Sequence, residues 1–103
     1  MSLTVVETAY FITTADEIWS DDERADIVAT MPQVYEAGVV IKGSGGVRKI
    51  RAPIAGTGKS GGARIVYFVK HTNGEIWLIA AYKKSVADKL PTSLLKKLKE
   101  ELE

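Results

Sequence analysis

The sequence predicts an α+β domain: an acidic helical front, a basic β-rich centre and a short basic helix at the end. Three observations carry this. Apolar residues keep helical spacing in the first third, the period changes from Val39 and short β-branched or alternating runs follow from Val47, and a leucine stripe begins at Leu94. Turn signals separate the runs at the lengths expected of hairpins and short loops. At 103 residues, the chain is expected to form one domain, 1–103, with room for a single core and at most a shallow cleft.

Residues 3–7 read as an opening strand, and residues 10–19 place Phe11, Ala15 and Ile18 on one helical face. Ser20-Asp21-Asp22-Glu23 is a capping-box sequence, so a second helix begins there, with its acids complementing the helix dipole. Pro32 predicts its end near Met31, because proline disfavours helical geometry in the residue before it. Strands follow at 47–52, 63–70 and 75–82. Asn73-Gly74 between the last two is a hairpin signal; with those residues central, Thr72 faces Glu75, Arg64 faces Lys83 and Ile65 faces Tyr82, give or take one position. Leu94, Leu95, Leu98 and Leu102 form the buried stripe of a last helix whose wet side carries Lys96, Lys97 and Lys99.

Charge is sharply divided along this order. The first 41 residues sum to −7 and the remainder to +8, leaving a net +1. Between Ala37 and Gly74 there is no Asp or Glu, only Lys42, Arg48, Lys49, Arg51, Lys59, Arg64 and Lys70. Such a field draws polyanions to one end of the molecule, and nucleic acid is the commonest polyanion in a cell. Alternation puts Lys49 and Arg51 on one face of their strand, with Arg48 and Ile50 on the other. Pairing Arg51 near Arg64 would gather Lys49, Arg51, Arg64 and Lys83 on one side of the sheet. Like charges placed side by side repel, so an anion is the expected occupant.

Several chemistries are excluded or disfavoured. Gly56-Thr57-Gly58-Lys59-Ser60-Gly61 matches a dinucleotide-binding string and the end of a phosphate-binding loop, but a strand follows it where both motifs need a helix. The loop still offers backbone amides and Lys59 to a phosphate. His71 is the only histidine and sits at a turn, so neither a histidine pair nor a histidine metal site can form. The acids lie away from the cations, which disfavours a two-metal centre, and no cofactor is expected. Trp19 and Trp77 read as core, and Tyr67 and Tyr82 as packed residues with hydroxyls at the rim. Without cysteine, a leader or a long apolar run, the chain is expected in the cytoplasm, away from any membrane.

Three segments together resemble a known family. They are Gly45-Gly46-Val47-Arg48-Lys49-Ile50-Arg51, the stretch from Gly56 through Arg64-Ile65-Val66-Tyr67, and Tyr82-Lys83-Lys84-Ser85. They resemble the RelE/HigB-like toxins of bacterial toxin–antitoxin modules, most closely the HigB-like branch, over residues 38–90. The resemblance implies the order β-α-α-β-β-β-α, with two N-terminal helices packed on a mostly antiparallel sheet. It also implies metal-independent cleavage of messenger RNA on the ribosome, in which the RNA's own 2′-hydroxyl attacks the adjacent phosphorus.

Carried onto this sequence, the family's two alternate cations correspond to Lys49 and Arg51, and its central-strand arginine to Arg64. Arg64 would stabilise charge on the phosphoryl oxygens, and Lys49 would handle a proton. Ser85 stands where some members have arginine, and Pro91 near the place of a terminal tyrosine; Lys84 and Tyr82 are the substitutes expected to complete the catalytic set. Arg48, Lys59 and Lys83 are expected to hold RNA phosphates. The implied partners are a helix-turn-helix antitoxin and, only through that complex, operator DNA. Two readings stand beside this one: a non-cleaving ParE-like inhibitor of DNA gyrase, since fold does not transmit function, and a plain nucleic-acid-binding module.

Overall fold

The structure, a computed structural model, describes residues 2–55, 62–85 and 90–102. Its elements run β1 (Thr4–Glu7), α1 (Ala9–Asp16), α2 (Asp21–Val34), β2 (Val39–Val40), β3 (Arg48–Ala52), β4 (Ala63–Lys70), β5 (Glu75–Lys83) and α3 (Thr92–Leu102). The described strands form one sheet in the order β1-β5-β4-β3-β2. β1 lies parallel to β5 and the other pairings are antiparallel. The fold is therefore α+β with a mostly antiparallel sheet, as the sequence predicts. The short edge strand β2 is an addition, since a run of two residues has no period to read.

Thr8 joins β1 to α1. Its hydroxyl caps the helix by accepting the Phe11 amide at 3.1 Å and donates to the Leu78 carbonyl of β5 at 2.8 Å. Thr14 repeats the tie one turn and a half later, accepting the Ala81 amide at 3.0 Å. α1 stops at Asp16, earlier than its apolar spacing predicts, and the Ile18 and Trp19 amides both return to the Ala15 carbonyl. A tertiary bond accounts for the early stop: the buried Trp19 donates its indole N–H to the Pro53 carbonyl at 2.8 Å, which a continuing helix could not reach.

The predicted capping box opens α2, with Ser20 Oγ accepting the Glu23 amide and Glu23 accepting the Ser20 amide. The helix runs past Met31 to Val34 and takes Pro32 inside it, against the expectation. Proline removes one intrahelical donor, but Met31 is buried and the Tyr35 amide still bonds the Met31 carbonyl at 2.9 Å, so core packing carries the last turn. Arg24, the one cation of the acidic front, pairs with Glu7, Asp16 and Asp21.

The hairpin register differs from the expected one, with a consequence for every residue beyond it. The turn spans residues 71–74 and closes Lys70 against Glu75, with Gly74 at φ +65°. Further along, Val66 pairs with Ala80 while Tyr67 pairs with Leu78, which leaves Ile79 as the extra residue of a β-bulge. The ladder then sets Arg64 against Tyr82 and Ala63 against Lys83. Because side chains alternate, the bulge exchanges the faces of Tyr82 and Lys83.

β4 is buried on both sides. Ala63, Ile65 and Tyr67 join Phe11, Ala15, Met31 and Leu78 beneath α1 and α2, whereas Val66 and Phe68 join Val47, Ile79, Tyr82 and Leu95 beneath α3. Leu98 and Leu102 also pack there, and Leu94 is half-buried outside that cluster. Lys96 and Lys97 are exposed as expected, but Lys99 sits over the Phe68 ring at 5.5 Å. Lys70 lies 4.5 Å over Trp77 and donates to the Leu102 carbonyl at 2.9 Å, so cations fasten α3 to the sheet. Among the described residues no helix is long and apolar enough to cross a membrane.

The capping box gives a pH-dependent prediction. The Ser20 amide and then its hydroxyl hold the Glu23 carboxyl below its ordinary value. That contribution is complete above the ordinary carboxylate range and is lost as pH falls through the lowered value. Ser20→Ala should cost about 1 kcal/mol, measured by urea unfolding at neutral pH. Glu23→Ala should melt below wild type at neutral pH, with the gap closing in acid.

Candidate functional site

The site is assembled by cross-strand pairing. Arg51 on β3 faces Arg64 on β4, and Arg64 in turn faces Tyr82 on β5, so these side chains form one row over three strands. Lys49, two residues from Arg51, shares that face and pairs with Val39 of β2 on its other side. A cleft of about 470 Å³ opens over this corner, lined by Ala37, Val39, Lys49, Ile50, Arg51, Arg64 and Lys84. One wall is cationic and the other apolar.

Arg64 differs from the rest in burial. It is 9% exposed, and its Nη1 donates to the Ala63 carbonyl at 3.1 Å, which fixes the guanidinium against its own strand. Lys49 is half-buried, and Arg51 and Lys84 are exposed. The ion pairs between described residues all belong to Arg24 at the acidic front, so Lys49, Arg51 and Lys84 have no carboxylate partner among the described residues. The direct Arg51–Arg64 opposition is a like-charge pair on a sheet, an arrangement that costs stability. Such a cleft is suited to a phosphodiester.

The other sequence-predicted residues lie elsewhere. Lys83 is on the α1 side of the sheet, in a smaller cleft with Thr14, Glu17 and Ile18, so it does not join the cluster foreseen from an unbulged hairpin. Tyr82 takes its place in the row, 8% exposed and packed with Val66 and Leu95. Arg48 faces the α2 side, donating to the Gly38 carbonyl at 2.8 Å and reaching that of Glu36 at 3.4 Å. Lys59 and the glycine string 56–61 lie outside the described residues. Tyr67 is fully buried, with its hydroxyl on the Tyr35 carbonyl and away from any rim.

Sequence reasoning missed Ala37 and Val39, the apolar wall. Val39 is 64% exposed, and only its pairing with Lys49 reveals it as part of the cleft. Among the described residues no group of three or more His, Cys, Asp or Glu gathers to hold a metal ion.

No family model matches the chain. Among solved structures it is similar to a mutant of the E. coli toxin RelE in the free state, with a TM-score of 0.59 and 16% identity, over 85% of this chain and 90% of that one. The fold is thus RelE-like. At that identity the likeness concerns the arrangement of the backbone, and the chemistry has to be argued from the cleft itself.

The like-charge row predicts a trade between stability and function. Arg51→Gln should stabilise the free protein by roughly 0.2–1 kcal/mol, with the gain shrinking as salt rises. Thermal melts at low and high ionic strength measure it; a variant less stable than wild type at low salt would show that Arg51 is held by contacts stronger than the repulsion.

Proposed function

We propose that this chain is a ribosome-dependent endoribonuclease toxin that cuts messenger RNA without a metal ion and is restrained by an antitoxin. The observation that carries the reading is the cation-lined cleft: Lys49, Arg51, Arg64 and Lys84 converge on one space without a described carboxylate to neutralise Lys49, Arg51 or Lys84. The RelE-like fold supports it, because the similar solved structure is that of a toxin.

In this reading the RNA's 2′-oxygen forms a bond to the adjacent phosphorus as the bond to the 5′-oxygen breaks. The 2′-hydroxyl proton passes to a base, and the departing 5′-oxygen takes up a proton, leaving a 2′,3′-cyclic phosphate and a 5′-hydroxyl. Arg64 is suited to the phosphoryl oxygens: a guanidinium stays charged, its fork spans two oxygens, and its place in the sheet costs no reorganisation as charge builds. Lys49 is assigned the proton at the 2′-oxygen, Arg51 and Lys84 the surrounding phosphate charge, and Tyr82 a phenol beside Arg64 for the leaving oxygen. The small cleft grips little more than one phosphodiester and its neighbours, so alignment of the strand for attack is assigned to the ribosome. Cytoplasmic location, a helix-turn-helix antitoxin and operator binding through that complex belong to the same proposal. An acidic segment of that partner would be drawn quickly to the cleft, with durable inhibition resting on apolar burial.

The test is primer extension on a translated message, with and without ribosomes. Cuts confined to ribosome-bound message and insensitive to EDTA at the protein's own site are expected. Equal cutting of naked RNA would remove the ribosome from the proposal, and gyrase inhibition without RNA cuts would replace it. Within an active system, Arg64→Ala should lower single-turnover cleavage by roughly a hundredfold, the cost of losing one oxyanion donor, with ribosome affinity changed far less. Arg64→Lys serves as the variant that keeps the charge should the alanine fail to fold. Near-normal cleavage by a folded Arg64→Ala would make this arginine structural.

A further inference from the structure

Arg48 and Tyr67 are directly paired across β3 and β4, on the face opposite the cation row. Both reach the same short segment. Tyr67 donates its hydroxyl to the Tyr35 carbonyl, and Arg48 donates to the carbonyls of Gly38 and Glu36. The last turn of α2 has no basic residue of its own. The sheet supplies donors to the carbonyl of its C-cap, Tyr35, and to those of Glu36 and Gly38 just beyond it. Burial pushes the Tyr67 phenol above its ordinary value, so it remains a donor throughout the neutral range.

The fit leaves no slack. A Cβ at Gly38 would stand 2.0 Å from the Tyr67 hydroxyl oxygen, so the chain passes the phenol at a distance that only glycine permits. On either side of Gly38 stand Ala37 and Val39, the residues that form the apolar wall of the cleft. β2 itself is two residues long and holds the sheet edge by its pairing to β3 alone. The Ala37 amide also bonds the Val34 carbonyl at 2.9 Å, and the Ile41 amide the Val47 carbonyl at 2.8 Å, so the clamp acts on the span between these two ties.

We propose that Arg48 and Tyr67 are positioning residues, which shape the cleft by clamping the α2–β2 connection and act on bound RNA through Ala37 and Val39. The inference rests on the RNA reading of the cleft. In it the cations hold the phosphate while the apolar wall facing them packs the sugar or base of the same nucleotide, the division of labour usual in small-ligand sites. Arg48 then touches no phosphate.

Three variants of the full chain decide this, Tyr67→Phe, Arg48→Gln and Arg51→Gln, each read in two ways. Amide exchange of Ile41, which bonds the Val47 carbonyl just beyond β2, needs no RNA. It should speed up by about tenfold in the first two variants, roughly what one buried hydrogen bond is worth, and stay unchanged in Arg51→Gln. Affinity for a short single-stranded RNA, measured against salt, should fall in all three. Its salt slope should drop by about 0.7 in Arg51→Gln for the lost phosphate contact and keep the wild-type value in Tyr67→Phe and Arg48→Gln. A slope reduced in Arg48→Gln would make Arg48 a phosphate ligand, and unchanged exchange in Tyr67→Phe would show that the phenol holds nothing; either overturns the clamp. If wild-type protein bound no free RNA, the contact of the apolar wall with a sugar or base would fall, while the exchange measurement would still decide whether the clamp exists.

Discussion

The pairing of β4 with β5 is the constraint on which the rest of this molecule depends. β4 is buried on both faces, so it can tolerate no slip: one residue of shift would turn its arginine into the core beneath α1 and α2 and its apolar neighbours towards the cleft. Within that constraint β5 carries one extra residue, Ile79, and both clusters stay filled because Ile79 and Ala80 point together beneath α3 while Ala81 returns beneath α1. The bulge is therefore a packing solution with a chemical result. It aligns Tyr82 with Arg64 and sends Lys83 to the other side.

Much of this is legible in the residues themselves. The capping box at Ser20, the strand limits of β4 and the sharing of a face by Lys49 and Arg51 follow from local rules that no tertiary contact overturns. The Arg51–Arg64 opposition is legible too, because matching the end of one basic strand to the start of the next across the glycine-rich stretch sets the two arginines near each other. The bulge is not. Nothing in Leu78-Ile79-Ala80-Ala81 marks an extra residue, since four apolar side chains in succession satisfy either face. The helix limits fail for a related reason: Trp19 leaves α1 for a carbonyl thirty-four residues away, and Met31 keeps α2 going through a proline. Distant partners decide both.

Arg48 shows how a cation can be misread when charge is taken without direction. It stands beside Lys49 in the sequence, in the same acid-free stretch, yet alternation puts it on the face where helix α2 ends. The neighbouring residues thus divide between two roles, one towards solvent and anion, the other towards the chain's own carbonyls. The separation of charge along the sequence persists in space in the same way. Arg24 collects the acids of the front, and the cleft is left with cations among the described residues that line it.

The parallel pairing of β1 with β5 joins residues 4–7 to residues 75–78, more than two thirds of the chain apart. During synthesis the first strand must wait until the last one has emerged, because no earlier segment is its partner in the sheet. Contacts of such long sequence separation are slow to form and come late. Lys84, which lines the cleft just beyond the end of β5, waits for the same strand, whereas Arg51 and Arg64 can pair once β4 is out. A nascent chain therefore carries Lys49, Arg51 and Arg64 out of the exit tunnel before Lys84, and the cleft is complete only when the end of β5 has arrived.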